Sequence, residues 1–132
     1  MSLIKRLSNG KSNRQTKNVL LVEGPSPARD RHGKTLEKNG YRVIFAESVD
    51  DGRALFEPQK FGLIVVSLNG FGQIAADLCN EIKEKDDRQI IAMIFNPDQE
   101  PPATDCPTII FPTEPDEYFL ARVETLTATY AA

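Results

Sequence analysis

Gly62-Leu63-Ile64-Val65-Val66-Ser67-Leu68-Asn69-Gly70-Phe71-Gly72 is the stretch on which the fold turns. Four apolar residues, mostly β-branched, run without alternation into Ser67. A run of that kind suits a strand buried on both faces, as at the centre of a parallel sheet. The Gly-rich segment after it reads as a strand-to-helix loop. In open α/β sheets, ligands and chemistry gather at the carboxyl ends of the strands. Ser67 therefore stands where a functional residue is expected, and its surroundings decide what it does.

The chain has 132 residues, enough for one domain with a real core but not comfortably for two. Its net charge of −3 carries no global nucleic-acid signal. The charge is uneven: Lys5, Arg6, Lys11, Arg14 and Lys17 fall in the first 17 residues with no acid among them. Residues 1–17 read as a polar, basic, flexible arm, and residues 18–130 as the domain. A tether to an anionic surface through Leu3, Ile4 and Leu7 is the alternative, but that apolar edge is too short for a strong amphipathic helix. No apolar run is long enough to span a bilayer, and no signal-peptide core opens the chain. Cys79 and Cys106 match no metal or redox spacing, so a cytoplasmic protein with reduced thiols is expected. The single histidine, His32, excludes His-based zinc sites and leaves little room for a Ser-His-Asp triad.

Around the opening stretch the chain alternates strands and helices. Asn18–Val22 is a strand that ends in Glu23-Gly24-Pro25. Ser26 caps the helix that follows, Pro27 suits its first position, and Gly40 stops it. Ala28, His32 and Leu36 share one face of that helix, with Thr35 beside them. His32 reads as a half-buried packing residue rather than a ligand. Tyr41–Phe45 is a second strand. Ser48-Val49-Asp50-Asp51 opens a short helix that ends before Pro58, and Asp50 and Asp51 are acids favoured by the helix dipole rather than a metal pair. A third helix runs from about Gln73 to Lys85, with Ile74, Leu78 and Ile82 as its core stripe and Cys79 as a small apolar neighbour. Gln89–Phe95 is the fourth strand. Pro97, Pro101 and Pro102 forbid a normal helix after it. Cys106–Pro112 holds a fifth strand, and a last helix begins near Glu114-Pro115-Asp116. Such a pattern implies a parallel sheet with helices on both faces and right-handed crossovers, in the flavodoxin-like size class.

The order and local spelling resemble the receiver domain of bacterial two-component response regulators. The resemblance covers roughly Asn18 to Leu126. It rests on Val19-Leu20-Leu21-Val22-Glu23-Gly24 with Arg29 downstream, on Leu36-Glu37-Lys38-Asn39-Gly40-Tyr41-Arg42-Val43, and on Ala46-Glu47-Ser48. Leu63-Ile64-Val65-Val66-Ser67-Leu68 and Phe111-Pro112 followed by Leu120-Ala121-Arg122-Val123 complete the set. It implies a CheY-like three-layer α/β sandwich with a five-stranded parallel sheet in the order 2-1-3-4-5, its fourth helix here shortened or absent.

In that family a phosphoryl group passes to an Asp at the end of the third strand. An acidic pair after the first strand holds Mg²⁺ with that Asp. A Thr or Ser after the fourth strand and a Lys after the fifth contact the phosphoryl oxygens. A carboxylate nucleophile, a hard cation and a positive group at the developing charge are what the chemistry needs. Residue by residue, this chain departs from that set. The acidic pair becomes Glu23-Gly24, and the phosphoacceptor position is Ser67. Asn69 takes the place of the metal's backbone carbonyl. The hydroxyl position falls at Ile94 or Phe95, the lysine position is Phe111, and the aromatic switch position is Thr108. One carboxylate and a carbonyl make a poor Mg²⁺ site. Ser67 as a nucleophile needs an adjacent base, and His32 belongs to the first helix, away from that loop. A hydrogen bond from Ser67 to Glu23 or to local backbone is the plainer role. Gly72 follows only five residues after Ser67, a short loop for the family.

The expectation is an atypical receiver domain, a pseudo-receiver: not an enzyme, with no cofactor and no metal, acting as a phosphorylation-independent protein-interaction module in bacterial signalling. The partner expected is a histidine kinase or an output protein, with weak homodimerisation also open, and neither nucleic acid nor a membrane is bound directly. The interaction face is assigned to residues 96–105, Ile109, Tyr118 and Arg122. The alternative is a small-molecule or nucleotide sensor using the strand-end cleft, where Gly70, Phe71 and Gly72 could approach a ligand, although no G-x-G-x-x-G fingerprint is present. An enzyme of flavodoxin-like fold is weaker still, for want of a convergent His, Lys and carboxylate set. The chain ends soon after its last helix, so no output domain is expected on it, whether it stands alone or is a fragment.

Overall fold

Non-alternating apolar strands separated by capped helices assemble as such a sequence must, into a sheet buried on both faces. The structure is a computed structural model. It describes residues 17–68, 72–95, 108–110 and 115–131, with the side chains of 108–110 and 129–131 excepted. Its elements in chain order are β1 (Asn18–Val22), α1 (Pro27–Lys38), β2 (Arg42–Ala46), α2 (Val49–Leu55), β3 (Leu63–Ser67), α3 (Gln73–Lys85), β4 (Ile91–Ile94), β5 (Thr108–Ile110) and α4 (Asp116–Ala131). All strand pairs are parallel. Strands β2-β1-β3-β4 form the body of the sheet, and the three-residue β5 pairs with β4 at its edge. Of the Cys106–Pro112 segment assigned from sequence to that strand and its exit, Thr108–Ile110 are described, and the others lie outside the described residues. The proline-rich segment in which the fourth helix of the receiver pattern was expected to be lost lies outside the described residues, as does the basic arm up to residue 16.

The period of two along each strand divides the core into two halves. Leu20, Val22, Ile64, Val66 and Met93 face α2 and α3, where Val49, Leu78, Cys79 and Ile82 meet them. Val19, Leu21, Leu63, Val65, Ala92 and Ile94 face α1 and α4, against Leu36, Phe119 and Val123. All five residues of β3 are buried, as a central parallel strand requires. Each such Val, Leu or Ile side chain contributes about 1.5–3 kcal/mol by leaving water.

Helix ends follow their local chemistry. Ser26 Oγ accepts from the Arg29 N–H at 3.0 Å, with Pro27 at the first helical position. Ser48 Oγ accepts from the Asp51 N–H at 3.1 Å. Gly40 lies past the end of α1 at φ +89°, a conformation that glycine adopts without a Cβ penalty. Asp50 and Asp51 sit in the first turn of α2, and Asp50 accepts from Arg53 at 2.8 Å.

Three expectations need correction. Ile74 is not part of the α3 core stripe: it is 55% exposed, and the buried arc is Ala75, Ala76, Leu78, Cys79 and Ile82. At about 100° per residue, Ile74 falls on the flank of that arc, one step outside Ala75. On α1 the buried face is His32, Gly33 and Leu36, while Ala28 and Thr35 are only partly covered. The Phe45 ring of β2 packs over Gly33, with Cζ 2.6 Å from where a Cβ would stand. Gln89 precedes β4 rather than opening it. Its buried side-chain amide donates to the Phe61 carbonyl at 3.2 Å and the Ile90 carbonyl at 3.1 Å, tying the entrance of β3 to that of β4.

Candidate functional site at the carboxyl ends of the strands

The register brings the candidate residues into a row. Val22 pairs with Ala46 on one side and Val66 on the other, so the next residues along, Glu23 and Ser67, stand side by side at the strand ends. Ser67 is paired in turn with Ile94 of β4, and Ile94 with Ile110 of β5. Alternation turns Glu23 and Ser67 toward the α1/α4 layer, because Val19, Leu21, Leu63 and Val65 already face it. The Glu23 N–H donates to the Ala46 carbonyl at 3.0 Å, which holds this corner to β2.

Glu23 and Ser67 are both buried, at 6% and 0% exposure. A buried carboxylate requires a partner. Glu23 finds it in His32 of α1: Oε1 lies 2.9 Å from Nδ1. A carboxylate can only accept, so with Glu23 ionised Nδ1 carries the hydrogen between them. The imidazole is 4% exposed and stacks on Phe119 of α4, with ring centroids 4.6 Å apart and planes inclined by 27°. The expectation of a half-buried His32, remote from the strand ends, is thereby corrected. Four residues separate β1 from α1, and the second turn of the helix carries His32 to the Glu23 carboxylate. The sequence contained the signal: a lone acid at the end of a buried strand must be paired, and the sole histidine lies nine residues on, four before Leu36 on the buried face. Phe119 as the third member was not foreseen.

Arg29 flanks the site. Its guanidinium lies over the Phe45 ring at 5.3 Å and approaches Asp30 at 3.4 Å and Glu47 at 3.7 Å. Ile94 and Phe95 are buried and bring no hydroxyl to the row. Asn69, Gly70, Phe71 and Phe111 lie outside the described residues, and of Thr108 and Ile109 only the backbone, in β5, is described. Gly24, beside Glu23, offers no side chain. Among the described residues, no group of three or more His, Cys, Asp or Glu side chains is gathered as a metal ion would need. Tyr118 and Arg122 are exposed on α4, one turn apart, about 100° around the helix from Phe119 and Val123. No helix among the described residues is long and apolar enough to cross a membrane.

Solved structures with this arrangement are numerous. A CheY-like response regulator receiver domain protein from Methanospirillum hungatei superposes with a TM-score of 0.72 at 15% identity, over 87% of this chain and 96% of that chain. The non-phosphorylated HemR receiver domain from Leptospira biflexa gives 0.71 at 21% identity, over 84% and 94%. The fold is that of CheY-like receiver domains. A third receiver-fold likeness is to the complex of histidine kinase ThkA with response regulator protein TrrA, at TM-score 0.67 and 16% identity, over 83% of this chain and 97% of that chain. No protein-family model and no curated protein sequence matches the chain.

Proposed function

We propose that this receiver-fold chain is a protein-interaction module of signal transduction that works without accepting a phosphoryl group. The observation that carries the reading is what stands at the ends of β1 and β3. The acceptor position is a buried hydroxyl, Ser67, and Glu23, the one acid beside it among the described residues, is occupied by His32. Mg²⁺ demands several oxygen ligands in near-octahedral array, anionic ones above all. A single carboxylate already bonded to an imidazole, next to a glycine, does not fit that demand, and no step is assigned to the metal. Ser67 lacks the acidity of a nucleophile that reacts unaided. The chain is accordingly read as a non-enzyme.

The partner proposed is a protein of a signalling pathway, a histidine kinase or an output protein. The likeness to a regulator solved in complex with a histidine kinase supports this choice. The face proposed for it is the outer side of α4, with Tyr118 and Arg122, continued by Ile109 and residues 96–105. Weak self-association would use the same face. The reading places the chain in the bacterial cytoplasm.

Titration with Mg²⁺, followed through the backbone amides of Glu23, Gly24 and Ser67, tests these strand ends. The expected result is no saturable shift at millimolar metal. Saturable shifts at these three amides, abolished by Glu23→Gln, would overturn the reading.

A further inference from the structure

We propose that Glu23, His32 and Phe119 form a relay that couples the strand ends around Glu23 and Ser67 to the position of α4. Two contacts carry it. The carboxylate at the end of β1 holds the imidazole of α1 at 2.9 Å. The imidazole in turn lies against the Phe119 ring at 4.6 Å. All three side chains are buried, so none of these contacts is diluted by solvent. The chain of contact crosses from the sheet through α1 to α4 without a gap.

The mounting of α4 makes such a coupling mechanically effective. Near its far end, Thr127 Oγ1 donates to the Val123 carbonyl at 3.0 Å and meets Tyr41 Oη of the β2 approach at 3.4 Å. At its start the ties run to α1: Phe119 on His32, and Asp116 facing Arg31 at 3.7 Å. The beginning of α4 therefore follows α1, and α1 is indexed to the strand ends through His32. Release of the Glu23 bond frees the imidazole to turn, and Phe119 must follow it or lose its stacking. Tyr118, the neighbour of Phe119 in sequence, is 57% exposed and would move with it. Binding on α4 would act back on the strand ends to the same degree, since coupling between sites is reciprocal. The output assigned to Tyr118 rests on the interaction-face reading given above; the coupling itself does not.

The test uses backbone amide spectra of the full chain, with no partner present. Glu23→Gln keeps shape and an acceptor but removes the charge. His32→Asn keeps a polar atom toward Glu23 but removes the stacked ring, and Phe119→Leu keeps apolar volume without the ring. In the wild-type background, Glu23→Gln is expected to shift amides throughout residues 116–123. In the His32→Asn and Phe119→Leu backgrounds those shifts should fall by at least half, while the shifts in β1 persist. Sheet amides at wild-type positions certify that each variant is folded. Equal α4 shifts in all backgrounds, or Glu23→Gln effects confined to β1 and β2, would overturn the relay. The interaction face would then still stand or fall separately, on whether Tyr118→Ala weakens partner binding.

Discussion

Glu23 Oε1 and His32 Nδ1 lie 2.9 Å apart, both side chains out of water, at the end of β1 beside the buried Ser67 of β3. Removing one partner leaves the other buried and unsatisfied, at a cost of about 1–3 kcal/mol. Glu23→Ala should therefore lower unfolding stability by about 2 kcal/mol, and Glu23→Gln, which still accepts a hydrogen bond, by less than about 1 kcal/mol. Urea unfolding of the three proteins checks the order. Equal losses for Ala and Gln would show that the hydrogen bond contributes nothing.

Adjacent residues on α4 should respond oppositely. Phe119 is 1% exposed within the α1/α4 half of the core, and Phe→Ala in such a site costs about 3–5 kcal/mol. Tyr118→Ala removes a side chain that is largely in solvent and should change stability by less than about 0.5 kcal/mol. Its effect is expected on partner binding instead. Paired thermal unfolding and binding measurements separate the two roles.

Two helical glycines make a second contrast. A Cβ at Gly52 would meet Val22 Cγ2 at 3.0 Å and Leu78 Cδ2 at 3.2 Å inside the core. Overpacking there costs about 1–3 kcal/mol, against a gain of about 1 kcal/mol in helix propensity. A Cβ at Gly33 meets the tip of the half-exposed Phe45 ring, which can swing into solvent. Gly52→Ala should therefore destabilise and Gly33→Ala should be close to neutral, with the Arg29–Phe45 stacking lost. Denaturation midpoints in the reverse order would contradict this account of the packing.

Between α2 and α3, Arg53 Nε donates to Glu81 Oε1 at 2.8 Å and Nη2 to Oε2 at 3.1 Å. The hydrogen bond from Arg53, ahead of its charge, holds the Glu81 carboxyl below the ordinary range, with slight burial opposing. A depressed folded-state value means that the contribution is complete above the unfolded value of about 4.3 and is lost as the pH falls through the folded one. The stability difference between wild type and Glu81→Gln should accordingly be present at neutral pH, shrink with added salt, and vanish in acid. A difference that grows on acidification would contradict the assignment.

The fold was legible because its signals are local and redundant. The unalternating run Leu63–Val66, the caps at Ser26 and Ser48 and the stop at Gly40 each specify an element, and α3 spans Gln73–Lys85 as its periodicity predicts. The errors arose where burial depends on a neighbour that sequence does not name. Ile74 looks like core by spacing, but it lies at the flank of the buried arc. His32 looks half-buried by spacing, but Glu23 and Phe119 close over it. At the site, the row Glu23–Ser67 follows from strand order, and the need of a buried acid for a partner points to His32, whereas the stacking of His32 on Phe119 joins residues far apart in sequence and has no periodic signature.

Phosphoryl transfer is the central question. The full chain, incubated with acetyl phosphate or phosphoramidate and Mg²⁺, should show no added phosphoryl mass in its intact-mass spectrum. A stoichiometric phosphoryl adduct that disappears in Ser67→Ala would contradict the account at its core.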